Sequence, residues 1–562
     1  MCRRLAFACL AGLLLALCGG SPLQGQELRN PFDFPILLSG SFGELRGNHF
    51  HSGIDFKTQG VEGKPVHAVE AGYVSRVSVS PIGYGNVLYI NHPDGKTTVY
   101  AHLQRFAPDI AAYVRERQYA DESFKVDITL APEQFPVERG DVVAWSGNTG
   151  SSGGPHLHFE VRDTETEEVL DPLPYYQNRV ADTRPPQISG IMVYPVEGQG
   201  VVNGSGRKQE FKPSAVRNGT SSLTARIEAW GKIGIAVKAY DYMDGTSNIY
   251  GVKEITLTAD NEVVFHSDIT RFAFAETRYL NSFTDYAEWD ARRSFYMKTF
   301  AEPGNRLRFI DTRNRGYITI DEERDYHLQY TLSDAFGNTT RLSVVLTGKE
   351  QPVPDPPADM ELFCWNSENR FGAKGIRLVI PRGNLYDDLY FRYAVREDTT
   401  ALAPVHTVHD SPLAFHEAAR LSLHLSKDFL TDKRQYGIVR LRNGHRSWIG
   451  GTYRNGWIDA PIREAGQYTI AQDTRPPLIT PLSPAAGKGL KRLSFRLTDD
   501  LSGIARYRAE ADGRFILFEM DSRSVITCRL DETGLPAGRH TLTLTATDAC
   551  GNEAVYTCPF SL

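Results

Sequence analysis

At 562 residues the chain is too long for one hydrophobic core, because cores stop growing beyond roughly 250–300 residues, so roughly three to five domains are expected. Its make-up, 41% apolar, 23% charged and 11% aromatic, is that of an ordinary folded protein and excludes wholesale disorder. A formal net charge of -6 leaves no basic footprint, which argues against nucleic acid as a partner.

The chain opens with two charges, Arg3 and Arg4, followed by an apolar run from Leu5 to Leu17. Crossing a ~30 Å hydrocarbon core takes about 20 apolar residues, so residues 1–25 read as an export signal cleaved between Gly19 and Gln26. Cys18 offers a site for lipid attachment, but Leu17 stands where a lipoprotein signal carries a small residue. Plain export to the periplasm, the cell envelope or the exterior is therefore preferred to a lipid anchor. No later stretch is apolar enough to span a membrane. Outside the signal, Cys364, Cys528, Cys550 and Cys558 remain. Export permits disulfides, and Cys528 with Cys558 is the pair suited to bridge neighbouring strands; free buried thiols are the equal alternative.

From residue 26 to 181 short apolar runs of strand length follow one another: Val66 to Val69, Tyr73 to Val79, Val87 to Ile90, Val99 to His102 and Leu157 to Val161. Turn residues separate them, as in Gly83-Tyr84-Gly85-Asn86 and His92-Pro93-Asp94-Gly95. Between Phe106 and Gly140 the pattern breaks into a helix from Pro108 to Tyr119 and a strand from Phe124 to Leu130, an insertion beside the sheet. Further on, Asp182-Thr183-Arg184-Pro185-Pro186 returns as Asp473-Thr474-Arg475-Pro476-Pro477. Each copy precedes an alternating strand with an acidic turn (Ala236 to Gly245, Leu493 to Gly503) and an Asp-Ala-x-Gly-Asn turn (Asp334 to Asn338, Asp548 to Asn552). With no EF-hand spacing present, turn formation rather than calcium binding is the expected role of these acidic clusters. The Pro-rich stretch 351–358 is a stiff linker. The fold expected is mostly β: an antiparallel sheet domain over 26–181 with a short helical insertion, then about three β-sandwich, Ig-like modules over 182–350, 358–472 and 473–562.

Seven of the 15 histidines lie between His49 and His158. In an extended chain alternate side chains share a face, so His51-Ser52-Gly53-Ile54-Asp55 aims His51 and Asp55 the same way, with Gly53 leaving room for an ion. In Gly153-Gly154-Pro155-His156-Leu157-His158-Phe159 both imidazoles share one face and Leu157 and Phe159 the other. Two histidines and a carboxylate with one position left for water make a catalytic zinc set, and His102 in Tyr100-Ala101-His102-Leu103 adds another imidazole. Each histidine taken alone is more readily a solvated or hydrogen-bonded strand residue, and His49, His67 and His92 stay in that class. The run Gly147 to Gly154 lacks the Gly-Lys-Ser ending of a phosphate loop and leads into a strand, which excludes that role.

Together these motifs resemble the lysostaphin/LytM-type zinc endopeptidases over about Ser39 to Arg162. Ser39 to Arg46 is similar to the family's Ser-x-Phe-Gly-x-Arg, displaced by one residue at each end. His51 to Asp55 matches His-x-Gly-x-Asp, and Gly63 to Val74 matches Gly-x-Pro-Val-x-Ala-x-x-x-Gly-x-Val. Gly83 to Asn86, Tyr100 to Leu103 and Gly147 to Glu160 follow in the family order. The resemblance implies one zinc ion held by His51, Asp55 and His158, with His102 and His156 as unligated catalytic histidines whose separate roles stay open. It also implies hydrolysis of peptide crosslinks or stem peptides of bacterial peptidoglycan by metal-activated water. The alternatives are a non-catalytic peptidoglycan-binding protein or an activator of another wall hydrolase, and a scaffold whose function lies in the β-modules. The intact histidine and aspartate set disfavours both. Departures from the family pattern are the insertion between Phe106 and Gly140 and the lack of an evident site tyrosine. The C-terminal modules are expected to position the first domain, cover its groove, or bind a glycan or protein partner.

Overall fold

The computed structural model describes residues 27–398, 401–482 and 491–562; the export signal, its cleavage region and Cys2, Cys9 and Cys18 lie outside the described residues. Strands account for 49% of the structure and helices for 9%, so the protein is mostly β. No helix among the described residues is long and apolar enough to cross a membrane.

The first domain is built on an antiparallel sheet. Its strands in chain order are β1 (Leu38–Gly40), β2 (Ile54–Lys57), β3 (Gly72–Val79), β4 (Asn86–Asn91), β5 (Lys96–Phe106), β6 (Val126–Thr129), β7 (Val142–Ser146), β8 (His156–Asp163) and β9 (Val169–Leu170). Across the sheet the order is β1-β2-β8-β5-β4-β3. The chain thus brings its last long strand, β8, between two much earlier ones, antiparallel to both. Period-two alternation explains the layering: Leu157, Phe159 and Val161 point into the core and are fully buried, while His156, His158, Glu160 and Arg162 share the opposite face. Beneath the sheet Phe56, Tyr100, Phe159 and Tyr176 interlock with ring centroids 5.4–6.0 Å apart, a rigid aromatic floor.

The insertion holds helix α1 (Pro108–Ala120), which buries Ile110, Val114 and Gln118. Its strand β6 does more than lie beside the sheet. It pairs antiparallel with β3, Arg76 opposite Thr129 and Val77 opposite Ile128, and so covers backbone groups that an open edge would expose. The outer face of the insertion receives the end of the chain: Arg115 pairs with Glu532 at 2.5 Å, Arg508 with Glu122 at 2.7 Å, and Tyr119 meets Phe515 edge-on at 5.6 Å.

The segment after residue 182 contains β10 (Gln187–Val202), β11 (Ile227–Tyr240), β12 (Glu254–Ala259), β13 (Arg271–Phe272), β14 (Asp325–Ser333) and β15 (Thr339–Gly348). β13 pairs with β9, Phe272 packs on Phe42 and Phe50, and one apolar core runs from Leu28 to Leu346. Apart from β13, which joins the sheet of the first domain, these strands belong to one eleven-stranded sheet. The reason lies in β11, which passes through a left-handed Gly231 and pairs its first residues, Ile227 to Ala229, in parallel with Leu346 to Gly348. Residues 361–472 form two five-stranded sheets and one two-stranded sheet over their own core. The end of the chain forms two facing four-stranded sheets that include β16 (Leu478–Pro481), β17 (Arg492–Thr498), β18 (Arg539–Asp548) and β19 (Glu553–Ser561). Cys364, Cys528, Cys550 and Cys558 are all free thiols. Cys528 and Cys558 sit in opposing sheets rather than on neighbouring strands.

Candidate metal centre

Strand register assembles the site. His158 on β8 lies directly opposite Asp55 on β2 and, on its other side, opposite Ala101 on β5. Directly opposed residues on antiparallel strands project to the same face, so Asp55 and His158 meet. His51 enters from the turn before β2. Three atoms then face one another: His51 Nε2 and His158 Nδ1 are 3.0 Å apart, His158 Nδ1 and Asp55 Oδ1 3.0 Å, and His51 Nε2 and Asp55 Oδ1 3.1 Å. All three side chains are buried.

The outer atoms of these groups set the inner ones. His51 Nδ1–H donates to the Ser41 carbonyl at 2.8 Å, and His158 Nε2–H to Glu160 Oε1 at 2.9 Å. A carbonyl and a carboxylate can only accept, so each neutral ring turns a lone pair inward. Arg46 stands 3.5 Å from Asp55 Oδ2, which leaves Oδ1 as the oxygen facing the imidazoles. Three such atoms forming a triangle about 3 Å on a side make a group that could hold a metal ion. With zinc–ligand bonds of about 2.0–2.2 Å, tetrahedral corners lie roughly 3.3–3.5 Å apart, so the donor set fits zinc after a small outward shift. The field is consistent with this. Burial raises the Asp55 carboxyl, but His51 and His158 outweigh it and hold it well below the usual carboxylate range. Burial lowers His158, yet Asp55 and Glu160 pull its imidazole up to about 9, so without a metal Nδ1 carries a proton near neutral pH that a bound cation would displace.

His102 reaches the same centre by a different device. Alternation along β5 would place it with Tyr100, on the core face. Instead Leu88 pairs with Tyr100 while Asn86 pairs with Leu103, a bulge that crowds in an extra residue, and His102 takes a left-handed φ of 60°. Bulges and strained backbone at a site re-aim a side chain, and here the imidazole comes to 4.7 Å from the His156 ring and 5.9 Å from that of His158. Its Nδ1–H donates to the Thr149 carbonyl at 2.8 Å and that of His156 to the Gly154 carbonyl at 2.8 Å, so both rings present Nε2 inward. His156 Nε2 is 3.6 Å from Asp55 Oδ1. Burial, with the neighbouring imidazoles, drops His102 to about 3, and burial lowers His156 too. Both rings are neutral bases near pH 7.

The structure thus brings His51, Asp55, His102, His156 and His158 together and leaves the other histidines elsewhere. His67 bonds the Gly140 carbonyl and Asp33, His92 the Ala71 carbonyl and Thr98, and His49 the Gly47 carbonyl. Gly53 is correctly small for a reason other than room for an ion: a Cβ there would stand 2.1 Å from the Phe159 carbonyl oxygen. Sequence reasoning missed Glu160, which is fully buried and ties the site to its surroundings. Besides His158 it accepts from Ser52 Oγ at 2.5 Å, Tyr84 Oη at 2.6 Å and Arg162 Nε at 2.7 Å. Period two carried one step beyond His158 would have pointed to it; Tyr84 comes from a turn and has no such signal.

A family model described as peptidase family M23 matches residues 49–120, and one described as a Zu5-like domain matches residues 360–473. The DD-carboxypeptidase/endopeptidase Mpg of Neisseria meningitidis serogroup B is 33% identical over 144 residues, 25% of this chain and 25% of that protein. Lysostaphin of Staphylococcus simulans is 28% identical over 131 residues, 23% of this chain and 22% of that protein. The chain therefore spans about a quarter of the length of the curated relatives it matches. Among solved structures, the catalytic domain of the prophage-encoded M23 protein EnpA from Enterococcus faecalis is 27% identical, covering 24% of this chain and 87% of that one with a TM-score of 0.18. Over this N-terminal segment the chain is similar to the lysostaphin/LytM-type peptidases of family M23.

Proposed function

We propose that the protein is an exported zinc metalloendopeptidase that hydrolyses peptide bonds of bacterial peptidoglycan, in crosslinks or stem peptides. The observation that carries this reading is the triangle of His51 Nε2, Asp55 Oδ1 and His158 Nδ1, each edge 3.0–3.1 Å, with two further imidazoles aimed at it. His51, Asp55 and His158 would hold one zinc ion and leave it a position for water. Zinc bound there supplies a water of pKa near 7 and polarises the scissile carbonyl. The unprotonated Nε2 atoms of His102 and His156 are free to accept the water's proton; the ring that takes it then has an Nε2–H with which to face the oxygen that gains charge or to return the proton to the leaving amine. Anchoring of both rings through Nδ1–H to backbone carbonyls fixes the direction in which those protons travel.

An activator that only holds peptide in this groove has no use for two neutral bases around a complete cation site, which favours the enzyme. The decisive experiment incubates the mature protein with intact sacculi, with and without a chelator, and identifies released fragments by mass. Soluble muropeptides carrying newly freed peptide termini, absent with chelator and restored by zinc, are expected. Zinc-loaded protein that releases nothing from sacculi of several crosslink chemistries would overturn the assignment.

A further inference from the structure

Six aspartates far apart in sequence gather into two triads. Asp182, Asp241 and Asp334 bring carboxylate oxygens within 4.8 Å of one another, and so do Asp473, Asp499 and Asp548. The two triads are built alike. The first aspartate opens the repeated Asp-Thr-Arg-Pro-Pro, and its Oδ1 accepts from the backbone N–H of Arg184 at 2.9 Å or of Arg475 at 3.2 Å. The second ends the strand paired with the one that follows this motif: β11 beside β10, and β17 beside β16. The third lies at the turn between β14 and β15, or at the end of β18 before β19. Its Oδ2 accepts from the side-chain amide of Asn338 or Asn552 at 2.7 Å, and the same amide reaches back to the main-chain carbonyl of Asp182 at 3.2 Å or of Asp473 at 3.1 Å.

Turn formation explains the backbone bonds to Asp334 and Asp548, as their sequence suggests. It does not explain the oxygens that are left over. Asp241 is 2% exposed and Asp182 9%, yet Asp241 Oδ1 and Asp182 Oδ2 have no hydrogen-bond partner, and neither has Oδ1 of the half-buried Asp499 in the second triad. The motif arginines are engaged elsewhere: Arg184 lies over the Tyr242 ring at 4.7 Å and Arg475 pairs with Asp500 at 3.1 Å. Uncompensated buried carboxylates facing one another are costly. Burial, with Asp334 and Asp182 close by, pushes the Asp241 carboxyl up to about 8.

We propose that each triad binds a calcium ion and that the two ions stiffen the joints between modules. The donors are all carboxylate oxygens, the preference of a hard cation that takes six to eight oxygens in adaptable geometry, and neither triad offers the nitrogen or sulfur that zinc favours. Both triads stand at a joint. Asp182 lies between the first domain and β10, and Asp473 follows directly on the strand Gly466–Gln472. At each joint a glutamine of the preceding module touches the turn that carries the third aspartate: Gln177 Nε2 donates to the Ala335 carbonyl at 3.0 Å, and Gln435 Nε2 to Asn552 Oδ1 at 2.7 Å. A cation drawing the three carboxylates together clamps that turn to the chain entering the module.

The test uses the mature full-length protein with its zinc site undisturbed and measures bound calcium by equilibrium dialysis at free concentrations through the roughly 10⁻⁴–10⁻³ M range of extracellular modules. Two calcium ions per chain are expected, one in Asp241→Asn, one in Asp499→Asn and none in the double variant. Thermal unfolding provides a readout that needs no variant: calcium should raise the unfolding temperature of the unaltered protein and a calcium chelator should reverse it. The Asn substitutions keep the side-chain shape and remove repulsion, so without calcium the double variant should unfold no earlier than the parent. Absence of calcium binding across this range, or two bound ions that persist in the double variant, would overturn the proposal.

Discussion

His158 Nε2 and Glu160 Oε1 stand 2.9 Å apart on one face of β8, both side chains all but sealed from solvent. This contact fixes the tautomer of His158 and so decides that Nδ1, rather than Nε2, faces Asp55. Partners of this kind around a metal-binding imidazole raise its basicity and hold its ring. Glu160 is itself held in the charged state: burial opposes it, but Arg162 and His158 draw its carboxyl far below the usual range. Glu160→Gln is therefore expected to weaken zinc binding by roughly 10–100-fold and, by leaving Arg162 buried without its counter-charge, to destabilise the fold by about 3–5 kcal/mol. Competition with a chromophoric chelator and denaturant unfolding check the two effects separately; unchanged zinc affinity would show that Glu160 does not position His158.

The five residues at the centre divide by what they are tied to. His51→Ala, Asp55→Ala and His158→Ala are expected to lose zinc and turnover together. His102→Ala and His156→Ala should retain one equivalent of zinc while turnover falls by roughly 10²–10⁴-fold, the usual range for a proton-transfer group. Metal content by mass spectrometry beside fragment release from sacculi reads both. Zinc lost from the His156 variant as readily as from the His158 variant would erase the division.

Gly53 tests the register that builds the site. An added Cβ would lie 2.1 Å from the Phe159 carbonyl oxygen and 2.9 Å from Glu160 Cγ, and a main-chain carbonyl between two paired strands has nowhere to move. Gly53→Ala is expected to cost upwards of about 2 kcal/mol and to part β2 from β8, so that zinc affinity falls with stability. A variant as stable as the parent by denaturant titration would show that the two strands can separate freely.

Asp171 supplies a pH dependence remote from any metal. It sits where β9 meets the following segment, its backbone N–H donating to the Thr270 carbonyl at 2.9 Å and its Oδ1 accepting from Leu173 N–H at 2.9 Å. Burial lifts its carboxyl from the ordinary 3.8 to about 6. A folded-state value above the unfolded one means that the protonated acid favours the fold. That contribution is complete below about pH 4 and is lost as pH rises through 6. Asp171→Asn, which keeps the acceptor and cannot ionise, should gain on the parent between pH 4 and 7 by about 1–2 kcal/mol, allowing for partial solvent contact. Parallel unfolding curves for the two proteins at all pH values would count against it.

The sequence went furthest where function follows the local period of the backbone. Alternation in His156 to Phe159 placed both imidazoles on one face of a strand, and β8 has that form because Leu157 and Phe159 must enter the core. The turns at Gly83 to Asn86 and His92 to Gly95 separated the strands correctly because Gly and Asn accept backbone that other residues resist. The alternation rule failed at His102. Its backbone is left-handed within a bulge, so the residue that the pattern assigns to the core turns toward the site, and only neighbouring strands make such a kink visible. Glu160 and Arg162 carried no warning of burial either. Charged residues at alternate positions read as a solvated face, and here Tyr84 and Ser52 from a distant turn and strand lead cover them.

On its own the amino-acid order determined which residue types were available, the strands that carry them, and the likeness to a family of zinc peptidases. These are properties of short windows, in which side-chain periodicity and turn chemistry act over a few ångströms. Tertiary structure alone decided which oxygens and nitrogens face one another: that Asp55 Oδ1 closes a triangle with two imidazoles, that Glu160 locks one of them, and that Asp182 meets Asp241 and Asp334. The reason is physical. Apart from His51–Asp55 and His158–Glu160, which are near neighbours along the chain, such contacts join residues from about 60 to 150 positions apart, and their distances are set by strand register and by the closing of the core, which no local stretch of chain contains.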